Sequence, residues 1–123
     1  KDHDVVATLN LNGDYASDAL AAQVGGIGIS PGANISDRAS IFEATHGTAP
    51  SIAGKNLANP SSLILSAQMM LEYMGWTEAS YVISGAFEKT LKENKITIDL
   101  ASQIKGCEAL TTSDFATEII ANM

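Results

Sequence analysis

An α/β fold is the class this sequence predicts, and three observations carry it. Short runs rich in β-branched residues alternate with stretches of helical period. Glycine, proline and asparagine mark the boundaries between them. Over 123 positions, 46% hydrophobic against 17% charged residues supplies apolar material for one domain-sized core.

The first run, Val5-Val6-Ala7-Thr8-Leu9-Asn10-Leu11, ends at Asn12-Gly13 and reads as a short buried strand entering a turn. Residues 14–24 hold Ala16, Ala19, Leu20, Ala21, Ala22 and Val24 without proline. This predicts a helix that stops at Gly25-Gly26, where left-handed backbone is accessible. Residues 25–34 alternate glycine with β-branched residues and predict a short strand leading into a tight turn. Ser40-Ile41-Phe42-Glu43-Ala44-Thr45 predicts a second strand, and the breakers in residues 46–55 predict a loop.

Asn59-Pro60 has the form of an N-cap followed by proline at the first helical position, which opens a helix over residues 60–74. That helix is apolar on most sides, with Ser66, Gln68 and Glu72 as a narrow polar edge, and predicts burial in a layered core or a subunit interface. Thr77 caps the next helix, residues 78–94, whose Ala79, Val82, Ile83, Ala86, Phe87 and Leu91 recur near the helical period. Ile96-Thr97-Ile98 predicts a short strand, and Ser113 caps a last amphipathic helix ending near Ala121.

Fourteen acidic against seven basic residues give a net charge of −7. Nucleic acid is thereby an unfavourable partner, because its phosphates need clustered cations. Here the only cluster is Lys89, Lys92 and Lys95, which reads as a solvated helix face. No run approaches the roughly 18 apolar residues of a membrane span. The single Cys107 allows no internal disulfide and fits a reducing cytoplasm; with no histidine near it in sequence, it does not read as a nucleophile. His3 reads as a surface residue, and Met69, Met70 and Met74 as core or interface filler. Lys1 in place of methionine predicts a chain that begins within a longer protein.

Two constellations carry chemistry. Asp14 and Asp18 lie four apart in a helix, so both carboxylates share one face. A hard divalent cation such as Mg²⁺ or Mn²⁺ relieves their repulsion with oxygen ligands, although a third ligand is then required and none is evident. Acidic residues at a helix start also complement the macrodipole and cap free N–H groups, so spacing alone leaves both readings open. The second constellation is the loop from His46 to Asn59. Its small residues let backbone N–H groups approach a nucleotide, while His46 and Asn59 offer side-chain hydrogen bonds; the bland alternative is a plain turn. Gly26, Gly28 and Gly32 do not match the GxGxxG fingerprint.

The segments NLNGDY with Asp18, GGIGISPGANI, FEATHGTAP and IAGKNLANPSSLILSAQMML closely resemble the C-terminal part of the β-decarboxylating isocitrate/isopropylmalate dehydrogenase family, in order over the whole chain. SPGANI resembles the isocitrate branch more than the 3-isopropylmalate branch. The resemblance implies that family's own α/β fold rather than a Rossmann fold. Residues 1–24 would end the small, metal-site domain, and residues 25–123 would form the C-terminal part of the large cofactor-binding domain.

It further implies Asp14 and Asp18 as ligands of Mg or Mn, with the third carboxylate from the partner of a homodimer. His46, Gly47, Thr48, Ala49 and Pro50 would hold the adenosine and phosphate part of the cofactor, Asn59 would meet the adenine, and Glu43 would lie near the nicotinamide. The implied reaction is oxidative decarboxylation of isocitrate to 2-oxoglutarate. Residues for substrate binding and proton transfer are not matched, so the isolated segment is expected to be inactive.

Where the NADP-dependent members carry cations and phenols against the 2′-phosphate, this chain has Ser51, Ile52, Ile98 and Ser102. Losing charge-assisted hydrogen bonds of about 1.5–3 kcal/mol each predicts NAD in preference to NADP, with Lys55 as a possible substitute. The alternatives are a 3-isopropylmalate or homoisocitrate dehydrogenase, or a truncated remnant that only dimerises or serves a structural role.

Overall fold

The computed structural model describes residues 3–123, so Lys1 and Asp2 lie outside it. The chain runs α1 (Asn10–Val24), a single 3₁₀ turn (Ile27–Ile29), β1 (Pro31–Ile35), β2 (Ser40–Ala44), α2 (Ser61–Tyr73) and α3 (Thr77–Lys92). It continues through β3 (Lys95–Thr97), the short α4 (Ile98–Ala101), β4 (Glu108–Leu110) and α5 (Thr112–Ala121).

Residues 5–11 do not form the expected strand. Val5 is 86% exposed, and helix α1 starts at Asn10, with the Gly13 N–H donating to Leu9 O at 2.9 Å. A strand needs a neighbour for its backbone groups, and none of the described residues supplies one, whereas a helix pairs them locally. The helix ends as its sequence predicts: Gly25 has φ 127° and Gly26 φ 108°. Ala21 is its one buried residue, so α1 stands out from the rest as an arm.

β1 and β2 form an antiparallel hairpin in which Gly32 faces Glu43 and Asn34 faces Ile41. β3 and β4 form a separate parallel pair, Ile96 opposite Ala109. Neither β4 nor α4 is visible in the sequence, being three and four residues long, below the length at which a period shows.

Helix α2 departs from the expected pattern at Ser66, which is buried while Glu72 on the same expected polar edge stays exposed. Its Ser61, Ser62 and Ser66 are fully buried, whereas Leu63 and Tyr73 are each 56% exposed. Small hydroxyl side chains let the helix approach the hairpin backbone and supply partners there. Ser66 Oγ accepts from Gly32 N–H at 3.0 Å and lies 2.7 Å from the Glu43 carbonyl. Ser62 Oγ accepts from Thr45 N–H at 3.0 Å and donates to Ser30 O at 2.5 Å. Gly32 has no room for more: a Cβ there would sit 2.8 Å from Glu43 O. The ring of Phe42 packs against Tyr73, with centroids 5.6 Å apart.

The apolar core lies at the other side of α2, where Ala86, Phe115 and Ile119 are buried with Ile64, Phe87, Leu91 and Leu110 around them. Phe87 meets Phe115 edge-on at 6.1 Å. Helix α5 starts one residue before the expected Ser113 cap. Thr111 Oγ1 accepts from Asp114 N–H at 3.2 Å and donates to its carboxylate at 2.6 Å. Similarly Thr77 lies inside α3 and makes no cap bond.

Two of the three clustered lysines are paired within the chain. Lys92 pairs with Glu88 at 2.7 Å, and Lys95 bridges Glu118 at 2.7 Å and Glu93 at 3.1 Å. Hydrogen bonds to Glu118 and then Glu93 hold the Lys95 pKa above its ordinary value, and the bond from Lys95 holds Glu93 below its own. The Lys95 contribution to stability is therefore full below the ordinary lysine pKa of about 10.4 and fades as pH rises through the raised value. The Glu93 contribution is present above about 4.3 and fades as pH falls through the lowered one.

In the full-length protein, Lys95→Met is expected to lower the urea midpoint at pH 7 and to converge with the unsubstituted protein as pH passes above about 10.4. A gap that persists unchanged at high pH would count against the ion pairs. Ser66→Ala should cost about 1–3 kcal/mol in the same assay, because the Gly32 N–H loses its acceptor. A cost below the error of the assay would show that the hairpin does not depend on that hydroxyl.

Candidate functional site

The helix that carries Asp14 and Asp18 begins four residues before Asp14, which removes the capping explanation. No acidic residue lies in the first turn of α1, and its N-terminus has no side-chain cap. Among the described residues neither carboxylate has an ion-pair partner. Both line a cleft of about 650 Å³ whose opposite wall is the hairpin and the loop after it, including Asn34, Glu43, Thr45, His46 and Gly47. Glu43 is held across the hairpin by Asn34, whose Nδ2 donates to its carboxylate at 2.8 Å.

Two carboxylates one helical turn apart, facing an open cleft, have the hard oxygen chemistry that suits Mg²⁺ or Mn²⁺. They do not complete a site: among the described residues no group of three His, Cys, Asp or Glu side chains could hold a metal ion.

His46 and Gly47 also line a second cavity of about 480 Å³, so this dipeptide stands between the two spaces. The second cavity is mainly apolar, with Ala49, Ile52, Leu57, Ala58 and Ile98 on its walls and Asn59 and Asp99 as polar groups. His46 Nδ1 lies 2.9 Å from the Gly47 carbonyl; since a carbonyl only accepts, that nitrogen carries the proton. Ala49 is held at φ 43°, a left-handed conformation that costs a non-glycine residue about 1–2 kcal/mol. Strain of this kind persists where the surroundings determine the backbone, and the Ala49 carbonyl is held by the Ile52 N–H at 3.0 Å while Asn56 tethers the loop further on.

At φ 57°, Asn56 reaches the start of α5. Its Nδ2 donates to Ser113 Oγ at 2.7 Å, its Oδ1 accepts from Ser113 N–H at 3.1 Å, and its carbonyl accepts from Thr112 N–H at 3.0 Å. Helix α2 begins one residue later than expected, at Ser61 with Pro60 in the N-cap position, and Asn59 just before it ties the start down through Oδ1, which accepts from Ser61 N–H at 3.0 Å.

The structure thus gathers Asp14, Asp18, Glu43, His46 and Gly47 at the cleft, and His46, Gly47, Ala49, Ile52, Asn59 and Ile98 at the apolar cavity. Thr48 lines a smaller space of about 200 Å³ beside them. Pro50, Ser51 and Ser102 line none of the three; the Ser102 hydroxyl instead donates to Asp99 O at 2.8 Å. Sequence reasoning missed Asp99, whose only signal was the Thr97-Ile98-Asp99 step at the end of a strand, and Asn56, an ordinary loop asparagine by sequence.

The family model for isocitrate/isopropylmalate dehydrogenase matches residues 1–119. The chain belongs to this family. Isocitrate dehydrogenase [NADP] of Helicobacter pylori is 56% identical over 122 residues, and that of Staphylococcus aureus 58% identical over 124. Each match covers 99% of this chain and 29% of the relative. The chain therefore spans less than a third of the length of these relatives.

Among solved structures, isocitrate dehydrogenase of Methylococcus capsulatus superposes with a TM-score of 0.84 at 38% identity, over 92% of this chain and 32% of that one. A protein of Thermus thermophilus superposes with a TM-score of 0.83 at 40% identity, over 92% of this chain and 22% of that one. The fold is that of the dehydrogenase family and not a Rossmann fold.

The comparisons correct the expected cofactor preference. Relatives at 56–58% identity carry NADP in their names, which indicates NADP rather than NAD. The absent cations at Ser51, Ile52, Ile98 and Ser102 do not decide the matter. A phosphate needs a cation within reach rather than at a fixed sequence position, and exposed Lys55 follows Ile52 in the same loop. Among the described residues no helix is long and apolar enough to cross a membrane.

Replacing Asn56 by alanine in the full-length protein should cost about 1–2 kcal/mol, the scale of a lost helix cap, and lower the urea midpoint. Asn56→Gly, which keeps the φ but loses the same side-chain bonds, should show a similar loss. An unchanged midpoint in both variants would show that the loop does not depend on this tether.

Proposed function

We propose that this chain is the segment of an NADP-linked isocitrate dehydrogenase that supplies two metal carboxylates and the adenosine-binding loop. The observation that carries this reading is that the two cavities share His46 and Gly47 in their walls, with a carboxylate pair lining one and mainly apolar side chains lining the other. A dinucleotide spanning the two would place its adenine beside Asn59, its phosphates along the small-residue backbone of residues 46–50, and its nicotinamide end toward Glu43.

Asp14 and Asp18 would hold Mg²⁺ or Mn²⁺, which when bound acts as a Lewis acid toward the hydroxyl and carbonyl oxygens of the substrate. Their carboxylates, unpaired among the described residues, leave room for a further ligand from outside this chain, and a second subunit of a homodimer is the proposed source. Residues 1–24 are assigned to the small domain and 25–123 to the large one. The arm-like α1, buried only through Ala21, supports a boundary there.

With the full-length protein, isocitrate and Mg²⁺, NADPH formation is the expected outcome, while the isolated 123-residue chain should show none. Asp18→Asn should lower kcat/KM at limiting Mg²⁺ by more than the roughly 10–100-fold that changes behind a metal ligand produce, and weaken Mn²⁺ binding in parallel. Turnover of 3-isopropylmalate or homoisocitrate in place of isocitrate would move the protein to another branch of the family. A full-length chain inactive with all three would leave a dimerising or structural remnant.

A further inference from the structure

Directly across the hairpin from Glu43 stands Gly32, where a Cβ would lie 2.8 Å from Glu43 O, so the position admits no side chain. The next pair on the same face is Asn34 with Ile41, and from there Asn34 reaches Glu43 diagonally. Its Nδ2 donates to Glu43 Oε1 at 2.8 Å. A carboxylate only accepts, so the bond also sets which way the Asn34 amide points. Both side chains are exposed, and without this bond the long Glu43 side chain would spread over several rotamers in solvent.

The carboxylate lines a cleft whose other charged lining residues are also acidic. Asp14 and Asp18 stand on the α1 wall, and no lysine or arginine is among the described residues of the lining. With a divalent cation on the aspartate pair, those two charges are balanced. Glu43 is then the uncompensated negative group, and it stands on the hairpin wall.

We propose that Asn34 is a positioning residue: by fixing Glu43 on the cleft wall it makes the site discriminate oxidised from reduced dinucleotide by charge. The inference rests on the dinucleotide reading above, in which the nicotinamide end points toward Glu43, and adds the residue that aims the charge. The oxidised ring is a cation. When it takes up hydride, with both electrons of the broken C–H bond, that positive charge is lost. A fixed negative group beside the ring therefore holds the oxidised form more tightly than the reduced one.

The test uses the full-length protein at constant Mg²⁺ and equilibrium binding of NADP⁺ and NADPH, read by calorimetry as the ratio of the two affinities. Asn34→Ala should weaken NADP⁺ by about threefold to fivefold, the scale of an exposed ion pair, and change NADPH by less than about 1.5-fold. Asn34→Leu, close in shape but without the donor, should match it and keeps the proposal falsifiable if the alanine variant does not fold. Asn34→Gln, which keeps the amide on a longer stem, should fall between. In a Glu43→Gln background, Asn34→Ala should leave the ratio where Glu43→Gln alone puts it, since the charge is already gone. Added salt should narrow the gap in ratio between the unsubstituted protein and Asn34→Ala, which a merely structural role would not do.

No change or equal weakening of both forms in the alanine and leucine variants, or a further fall in the ratio on top of Glu43→Gln, overturns the role of Asn34 and leaves the cofactor site standing. An unchanged ratio in Glu43→Gln, with both forms still bound, moves the nicotinamide away from this carboxylate and overturns the inference. Failure of the unsubstituted protein to bind either form overturns the dinucleotide reading and this inference together.

Discussion

Two serine hydroxyls, one helical turn apart on α2, fix the geometry on which the rest of the molecule depends. Ser62 and Ser66 hold Thr45, Ser30, Gly32 and Glu43 of the hairpin and its flanks against the helix by direct hydrogen bonds. Such contacts require backbone to approach a helix more closely than leucine would permit, and Gly32 provides the matching gap on the other side. The end of β2 is thereby set, and with it the point from which the His46 loop departs. The start of α2 is set by Asn59, so both ends of that loop are tied to one helix. The loop has no regular structure of its own, yet its ends are as well placed as any strand. Asn56 adds a third tether, from the middle of the loop to α5.

Most of the long elements are readable because their signals are local. The Asn59-Pro60 start, the Gly75 stop at φ 81° and the apolar period of α3 concern groups within a few residues of each other. Where the reading fails, the deciding contacts are distant in sequence. Residues 5–11 have the composition of a strand, but composition cannot provide a neighbour. Residue type groups Ser66 with Gln68 and Glu72 as a polar edge of α2. The actual partner is backbone rather than side chain, so hydroxyls are what the buried face needs. At the site, Asp14, Asp18, His46 and Asn59 stand out by residue type and spacing, whereas Asp99 is distinguished only by what it touches across the fold.

The burial of these serines has a consequence for the opposite face. With its serines turned inward, α2 leaves Leu63, Tyr73 and Met74 at the surface, next to Trp76, Tyr81 and Val82 from the start of α3. Single exposed apolar residues are ordinary, but six of them on two adjoining elements leave much apolar surface uncovered. The core is correspondingly small, centred on Ala86, Phe115 and Ile119. This chain matches only 29% of the length of its relatives. An under-sized core beside an uncovered apolar face is how a portion of a larger packed layer is built.

The carboxylate pair argues in the same direction from chemistry rather than packing. Two like charges on one helix face, with no cationic side chain paired to them among the described residues, repel each other. They also gain nothing from a helix terminus that begins a full turn earlier. A hard cation removes that penalty, but it takes about six or more oxygen ligands, and two aspartates leave most of its sphere to water or to groups from elsewhere. Retaining both aspartates on an arm that is buried only at Ala21 makes physical sense if the cleft they face is closed by something that brings further oxygens. The incompleteness of the site and the incompleteness of the core are then one property seen twice. On the proposed reading the residues of this chain would face a ligand from one side, and the hairpin behind them is held by bonds between serine hydroxyls and backbone within this chain.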